Sequence, residues 1–192
     1  MTGTAERIAA AALEILLAEG AEAVTMRRVA AAVELSPMAT YRHYPNREAL
    51  LRSVVDQAFA ELGEHYGQRS EGLDFHARLD ALTDDFLDFA LGKPNLYRYL
   101  ITEQRTGSLR FPDDFRDGGS TAFAPVHHVV EQGMREGVLR SDDVLETGLA
   151  LTMPVVGLVQ QYLGGRYNLP EPEFRALCKR TMRRVLRGLQ EE

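Results

Sequence analysis

Four arginines and two tyrosines crowd into residues 25 to 47, TMRRVAAAVELSPMATYRHYPNR, and no other stretch of the chain so clearly suits a chemical task. Arg27, Arg28, Arg42 and Arg47 stand against one acid, Glu34, so the stretch carries +3 in a chain of net charge −6 and the remainder stands at −9. A cationic island on an acidic protein confines attraction for phosphate to one face, whereas a uniformly basic protein attracts nucleic acid from every side. A second grouping, Asp84-Asp85-Phe86-Leu87-Asp88, spells DDxxD and puts Asp84 and Asp88 on one helix face, an arrangement able to hold magnesium on a diphosphate. That chemistry also needs a second carboxylate cluster and a basic diphosphate clamp, and the sequence offers neither. A magnesium-dependent helical enzyme acting on an isoprenyl diphosphate through Asp84-Asp88 is therefore the alternative reading. His127 and His128 adjoin, but neighbours on a helix point about 100° apart and rarely serve one ion, with or without His76. Cys178 is the only cysteine, which excludes an internal disulfide and a multi-cysteine zinc site. No Ser-His-Asp grouping, glycine-rich phosphate loop or cysteine nucleophile stands in a suitable context, so the chain reads as no enzyme, without cofactor or metal.

The elements that must position the arginines are short helices. Thr25 can cap the helix opened by Met26, along which Val29, Ala30 and Val33 recur on one face. Ser36 repeats the capping chemistry, and Pro37 supplies a preset φ at the first position of a second helix. Thr40 and Tyr44 share the side turned towards the first helix, leaving Met38, Ala39, Tyr41, Arg42 and His43 on the open side or its margins. Pro45 ends this helix, and Asn46 caps the next one. Two helices with a tight turn between them match the helix-turn-helix arrangement, whose second helix enters the major groove; an α-hairpin with a solvated arginine face is the plainer possibility.

The run from Arg7 to Leu51 resembles the DNA-binding domain of the TetR family of transcriptional regulators. The likeness lies in RIAAAALEILLAEG, the Thr25 cap, Tyr41-Arg42-His43-Tyr44, and Asn46-Arg47-Glu48-Ala49-Leu50. It implies that Tyr41 and Arg47 hold phosphates and that Pro37, Met38, Ala39 and Arg42 face the groove. Three positions depart from the pattern. Glu34 replaces a turn glycine, at a cost of roughly 1 kcal/mol if its φ is positive. Thr40 replaces a buried leucine, so its hydroxyl needs a local backbone acceptor, and Arg47 replaces a lysine.

With 192 residues and 45% hydrophobic content the chain can hold a small three-helix domain and a larger helical one. We expect an all-α fold with a helix-turn-helix domain over 1–50 and a ligand-binding and dimerisation domain over 51–192. Helices are expected at 46–66, 74–92, from Pro94, at 121–136, from Asp142 or Asp143 to about Gly165, and at 171–190, with a turn at 67–73 and a polar loop at 106–119. The apolar stretch Leu149 to Leu163 is interrupted and shorter than the roughly 20 residues that span a bilayer. MTGTAERIAAAA lacks a secretory pattern, so a cytoplasmic location is expected.

Ala150, Gly157 and Gly164 recur every seven residues beside Tyr162, a stripe that lets another helix approach closely within the chain or across a dimer; the family resemblance implies a homodimer. A dimer would place two recognition helices on successive groove faces and select a palindromic operator in double-stranded DNA. The basic run Arg175 to Arg187 reads as a solvated helix face. Phe86, Phe89, Tyr97, Tyr99, Phe123, His127, Met134 and Met153 could wall a pocket or fill a core, and the resemblance implies a small-molecule effector there. The combined expectation is a repressor released from its operator by a small apolar or aromatic molecule.

Overall fold

A computed structural model describes residues 3–70, 72–102, 110–115 and 123–190, apart from the side chains of 59, 62–70 and 102. Its helices are α1 (Thr4–Glu19), α2 (Met26–Ala32), α3 (Pro37–His43), α4 (Arg47–Ser70), α5 (Phe75–Gly92), α6 (Pro94–Tyr97), α7 (Ala124–Arg135), α8 (Val144–Leu163) and α9 (Glu171–Arg187). A 3-10 turn, Ala21–Ala23, precedes α2, and a π-type segment, Arg98–Thr102, continues α6. Among the described residues the only extended pairing is an isolated bridge between Leu139 and Gln190, so the fold is all-α. The chain forms two compact units, one from the described parts of 1–61 and 93–108 and the other from those of 62–92 and 109–190.

In the first unit Ile8, Ala12 and Leu16 of α1 are fully buried, as are Val24 and Val29, with Leu50, Leu51 and Val54 of α4 almost so. These positions recur at helical spacing, so one stripe of each helix closes the core. Capping sets the helix starts. The Thr25 hydroxyl accepts from Arg28 N at 3.2 Å, Ser36 Oγ from Ala39 N at 3.2 Å, and Asn46 Oδ1 from Ala49 N at 2.7 Å. Asn95 Nδ2 donates to the Leu17 carbonyl at 3.0 Å, which fastens α6 to α1. Tyr97 is 1% exposed, and burial pushes its phenol up to about 12.

In the second unit α5 packs against α7, α8 and α9. Phe174, Cys178, Met182 and Leu186 form the buried stripe of α9, and Phe75, Leu79 and Leu87 are buried on α5. Gly133 on α7 is required by close approach, since a β-carbon there would lie 2.4 Å from the Phe75 ring. Along the rim of the α5 and α9 contact runs a ladder of ion pairs. Asp80 meets Arg183, Asp84 meets Lys179 at 2.7 Å, and Asp88 meets Arg175 at 2.7 Å, with Glu171 also holding Arg175 at 2.8 Å. The acids climb α5 in steps of four while their partners descend α9 in steps of four, so the two helices are antiparallel and in register. The basic run of α9 is thus two faces: Arg175, Lys179 and Arg183 are paired, while Arg180, Arg184 and Arg187 are exposed.

Some boundaries differ from expectation. Helix α4 continues through Gly67 to Ser70, since an interior glycine costs about 1 kcal/mol and does not by itself break a long hydrogen-bond ladder. The first described turn of α7 begins at Ala124 with Pro125 behind it; the expected start, Thr121, lies outside the described residues. Of the expected loop at 106–119, residues 111–115 form turns after an irregular residue 110, and the others lie outside the described residues.

Candidate nucleic-acid interface

The turn between α2 and α3 is built around Glu34, which adopts φ 57°. A left-handed non-glycine residue costs about 1 to 2 kcal/mol, so the turn stores strain. Contacts on both sides hold it: Leu35 N donates to Ala30 O at 2.9 Å, and Arg7 reaches from α1 to the Val33 carbonyl at 3.2 Å. Thr40 is fully buried where α3 packs down, and its hydroxyl finds the local acceptor it needs in the Ser36 carbonyl at 3.4 Å. The Tyr44 hydroxyl donates to Ala5 O at 3.2 Å and lies 3.4 Å from Ser53 Oγ, so one side chain ties the end of α3 to α1 and α4.

What remains on the outer side of α3 is the face expected from the sequence. Ser36, Pro37, Arg42 and His43 are exposed, Ala39 is half-buried, and Met38 and Tyr41 are 68% and 47% exposed. Arg27 on α2 and Arg42 on α3 have no hydrogen-bonding partner among the described residues, so their guanidinium groups are available to a duplex. Thr25 is exposed beside them, its hydroxyl engaged as the cap of α2.

The other two arginines are held differently. Arg28 makes a two-pronged pair with Glu19 of α1, one contact at 2.9 Å. That hydrogen bond holds the Glu19 carboxyl below its usual range and raises the Arg28 guanidinium. Arg47 is half-buried and donates Nε to Val24 O at 2.7 Å and Nη2 to Ala21 O at 2.6 Å. Two backbone carbonyls thereby anchor the turn before α2 to the start of α4 through Arg47. A fork that fits two parallel acceptors is the property a lysine lacks. The sequence pattern could not show this, because the two carbonyls belong to residues more than twenty positions away.

The residues expected around an effector are divided between the two compact units. Tyr97 and Tyr99 are buried in the first unit, whereas Phe86, Phe89, Phe123, His127, Met134 and Met153 belong to the second. There Phe86, Phe89, Phe123 and Met134 are half-buried, while His127 and Met153 are exposed. Phe123 lies over Gly148, where a β-carbon would come within 2.9 Å of its ring. A cleft of about 440 Å³ opens elsewhere in this unit, between α5 and α9, lined by Asp74, His76, Ala77, Asp80, Met182 and Arg183 among others.

Along α8, Ala150, Gly157 and Gly164 are exposed, and among the described residues nothing stands within 4 Å of where a Gly157 β-carbon would be. Gly164 caps α8 with φ −82°, a conformation open to any residue, and the atom nearest a β-carbon there is the movable Arg166 guanidinium. Tyr162 is half-buried and stacks on Phe174 of α9, with ring centroids 4.0 Å apart.

A strained two-helix unit whose outer helix presents arginine, tyrosine, methionine and histidine defines a helix-turn-helix protein of the DNA-docking class. Residues 8–54 match the bacterial regulatory proteins of the tetR family, and residues 79–185 match the tetracyclin repressor-like C-terminal domain. The chain belongs to the TetR family of transcriptional regulators. It is 25% identical over 158 residues to the tetracycline repressor protein class A from transposon 1721 of Escherichia coli, a match covering 81% of this chain and 65% of that protein. The chain thus spans about 65% of the length of the curated relative it matches. The fold is shared with a protein of unknown function from Rhodococcus sp. RHA1, at TM-score 0.78 and 20% identity over 100% of this chain and 97% of that one. It is also shared with the regulator FadR of Bacillus subtilis, solved in complex with stearoyl-CoA, at TM-score 0.74 and 15% identity over 96% and 98%.

The enzyme alternative is overturned by the same observations. Family and fold are those of regulators and not of enzymes. The acids that suggested a magnesium site, Asp84 and Asp88, neutralise Lys179 and Arg175 across a helix pair.

Proposed function

We propose that this chain is a cytoplasmic, homodimeric repressor that binds a palindromic operator through α3 and releases it when a small apolar or aromatic molecule occupies the second domain. DNA binding is assigned to residues 1–50 and effector binding and dimerisation to 51–192. The observation that carries the reading is the outer face of α3, where Arg42, Tyr41, Met38 and His43 are exposed on a helix held from behind by Thr40 and Tyr44. Arg42 is the side chain there able to fork onto guanine O6 and N7, while Tyr41 and Arg27 suit phosphates. Selection from a random duplex library tests it: a palindromic consensus is expected, relaxed at one position per half-site by Arg42→Ala and unchanged by Tyr41→Phe. An unaltered consensus for Arg42→Ala would assign that arginine to a phosphate.

The dimer rests on the open α8 face. Since no described residue lies within 4 Å of a β-carbon at this exposed position, Gly157→Leu should leave the subunit folded and yet block close approach of a second copy. Sedimentation should then report monomer, with most operator affinity lost; a fully dimeric variant refutes the interface.

Helix α4 belongs to both compact units and is the natural coupling element. An effector that prefers one of two settings of α4 weakens operator binding by its differential affinity for the two. The aromatic and apolar candidate residues, and the stearoyl-CoA complex of FadR, direct the screen to uncharged or weakly acidic aromatic and long-chain acyl compounds. A true effector raises the melting temperature and releases operator over one concentration range, because one binding event drives both.

A further inference from the structure

Among the described residues Met38 is the most exposed large apolar side chain, at 68%, and it sits on α3 four positions before Arg42. Scattered exposed methionines need no explanation by themselves. This one stands on the same outer face as Arg42, which has no partner among the described residues, on a helix whose other side is fastened to the core by Thr40 and Tyr44. Residues four apart on a helix point within about 40° of each other and are separated by about 6 Å along the axis, so both reach one edge of a groove together. A base-pair step is about 3.4 Å. A methionine entering the major groove gains by burying apolar surface against another apolar group, and the thymine 5-methyl is the methyl displayed there.

We propose that Met38 reads a thymine methyl, one or two base pairs from the guanine read by Arg42, in each half-site. The assignment rests on the reading of α3 as the groove-entering helix. Ala39 is half-buried, Pro37 lacks reach and Tyr41 is assigned to a phosphate, which leaves Met38 as the side chain long enough to cover a methyl at the far edge of a base.

The test uses the full-length protein and the duplex it selects. Each thymine in a half-site is replaced in turn by deoxyuridine, which removes the methyl and keeps the pairing and O4. At one thymine, one or two steps from the Arg42-dependent guanine, affinity should fall by about three- to fivefold, the value of one buried carbon group. In Met38→Ala the same replacement should change nothing, and in Met38→Leu the loss should return. An unchanged melting temperature is expected for both variants, since the side chain is outside the core. A methyl effect that persists in Met38→Ala, or no methyl-sensitive thymine at all, overturns the assignment while leaving α3 as the recognition helix. A protein that selects no duplex overturns the recognition reading itself.

Discussion

At the scale of single residues, the four arginines of the helix-turn-helix split into two kinds, and the salt dependence of binding should show it. Arg27 and Arg42 have no hydrogen-bonding partner among the described residues; with Arg42 assigned to guanine, Arg27 gives a dimer two contacts between arginine and phosphate, which contribute roughly −2 to the slope of log K against log salt. Arg27→Ala should flatten it by up to about 2, one contact per half-site. Arg28→Ala should alter it little, because that guanidinium is neutralised by Glu19 in the free protein. Glu19→Gln should steepen it. A slope that responds to Arg28 as strongly as to Arg27 would show that the duplex displaces Glu19. Arg47 acts elsewhere: its loss leaves the Ala21 and Val24 carbonyls without their charged donor. Arg47→Ala should therefore lower stability by about 1.5 to 3 kcal/mol in chemical unfolding, with a falling melting temperature. An undiminished stability would mean that water replaces the fork.

At the scale of elements, the α5 and α9 pair shows how one charge pattern can be misread. Three acids in five residues imitate a magnesium site when α5 is viewed alone, and six cations imitate a nucleic-acid surface when α9 is viewed alone. Set antiparallel, Asp84 and Asp88, together with Asp80, satisfy Lys179, Arg175 and Arg183, while Arg180, Arg184 and Arg187 stay exposed. The paired side chains are 25 to 56% exposed, so each pair contributes modestly, about 0.2 to 1 kcal/mol. A double-mutant cycle of Asp84→Asn with Lys179→Gln should return a coupling in that range, fading at high salt. Magnesium should not raise the melting temperature. A coupling near zero would leave the register of the two helices to the buried stripe of Phe174, Cys178, Met182 and Leu186 alone.

At the scale of the whole molecule, two buried acids set the alkaline limit. Burial pushes the Cys178 thiol up to about 11 from 9.0 and the Tyr97 phenol up to about 12 from 10.0. Both folded values lie above the unfolded ones, so the native state holds protons that the unfolded chain gives up. The stabilisation is complete below about pH 9 and is lost as pH climbs through 11 and 12. Melting temperature should fall steeply over that interval, and Cys178→Ala should shallow the decline from pH 9 to 11. Thiol reagents should leave Cys178 unmodified in the native state, since the side chain is fully buried and protonated. Rapid modification under native conditions would show that the second unit opens locally.

The helix-turn-helix was legible in the sequence because its signals are local. Thr25, Ser36, Pro37 and Asn46 each act within three residues of themselves, and the open face of α3 follows from helical spacing once Thr40 and Tyr44 are turned inward. The strain at Glu34 was legible for the same reason, as a side chain standing where a turn favours glycine. Partners distant in sequence were not legible. Arg47 on Ala21 and Val24, Arg28 on Glu19, Tyr162 on Phe174 and the α5 to α9 ladder join residues that only packing brings within hydrogen-bond or van der Waals reach. Spacing along one helix specifies which side chains share a face. Which of those faces meets another helix, and which is left for a duplex or a second copy, is decided by how the helices pack, since charge and apolar area are neutralised only by the groups actually placed against them.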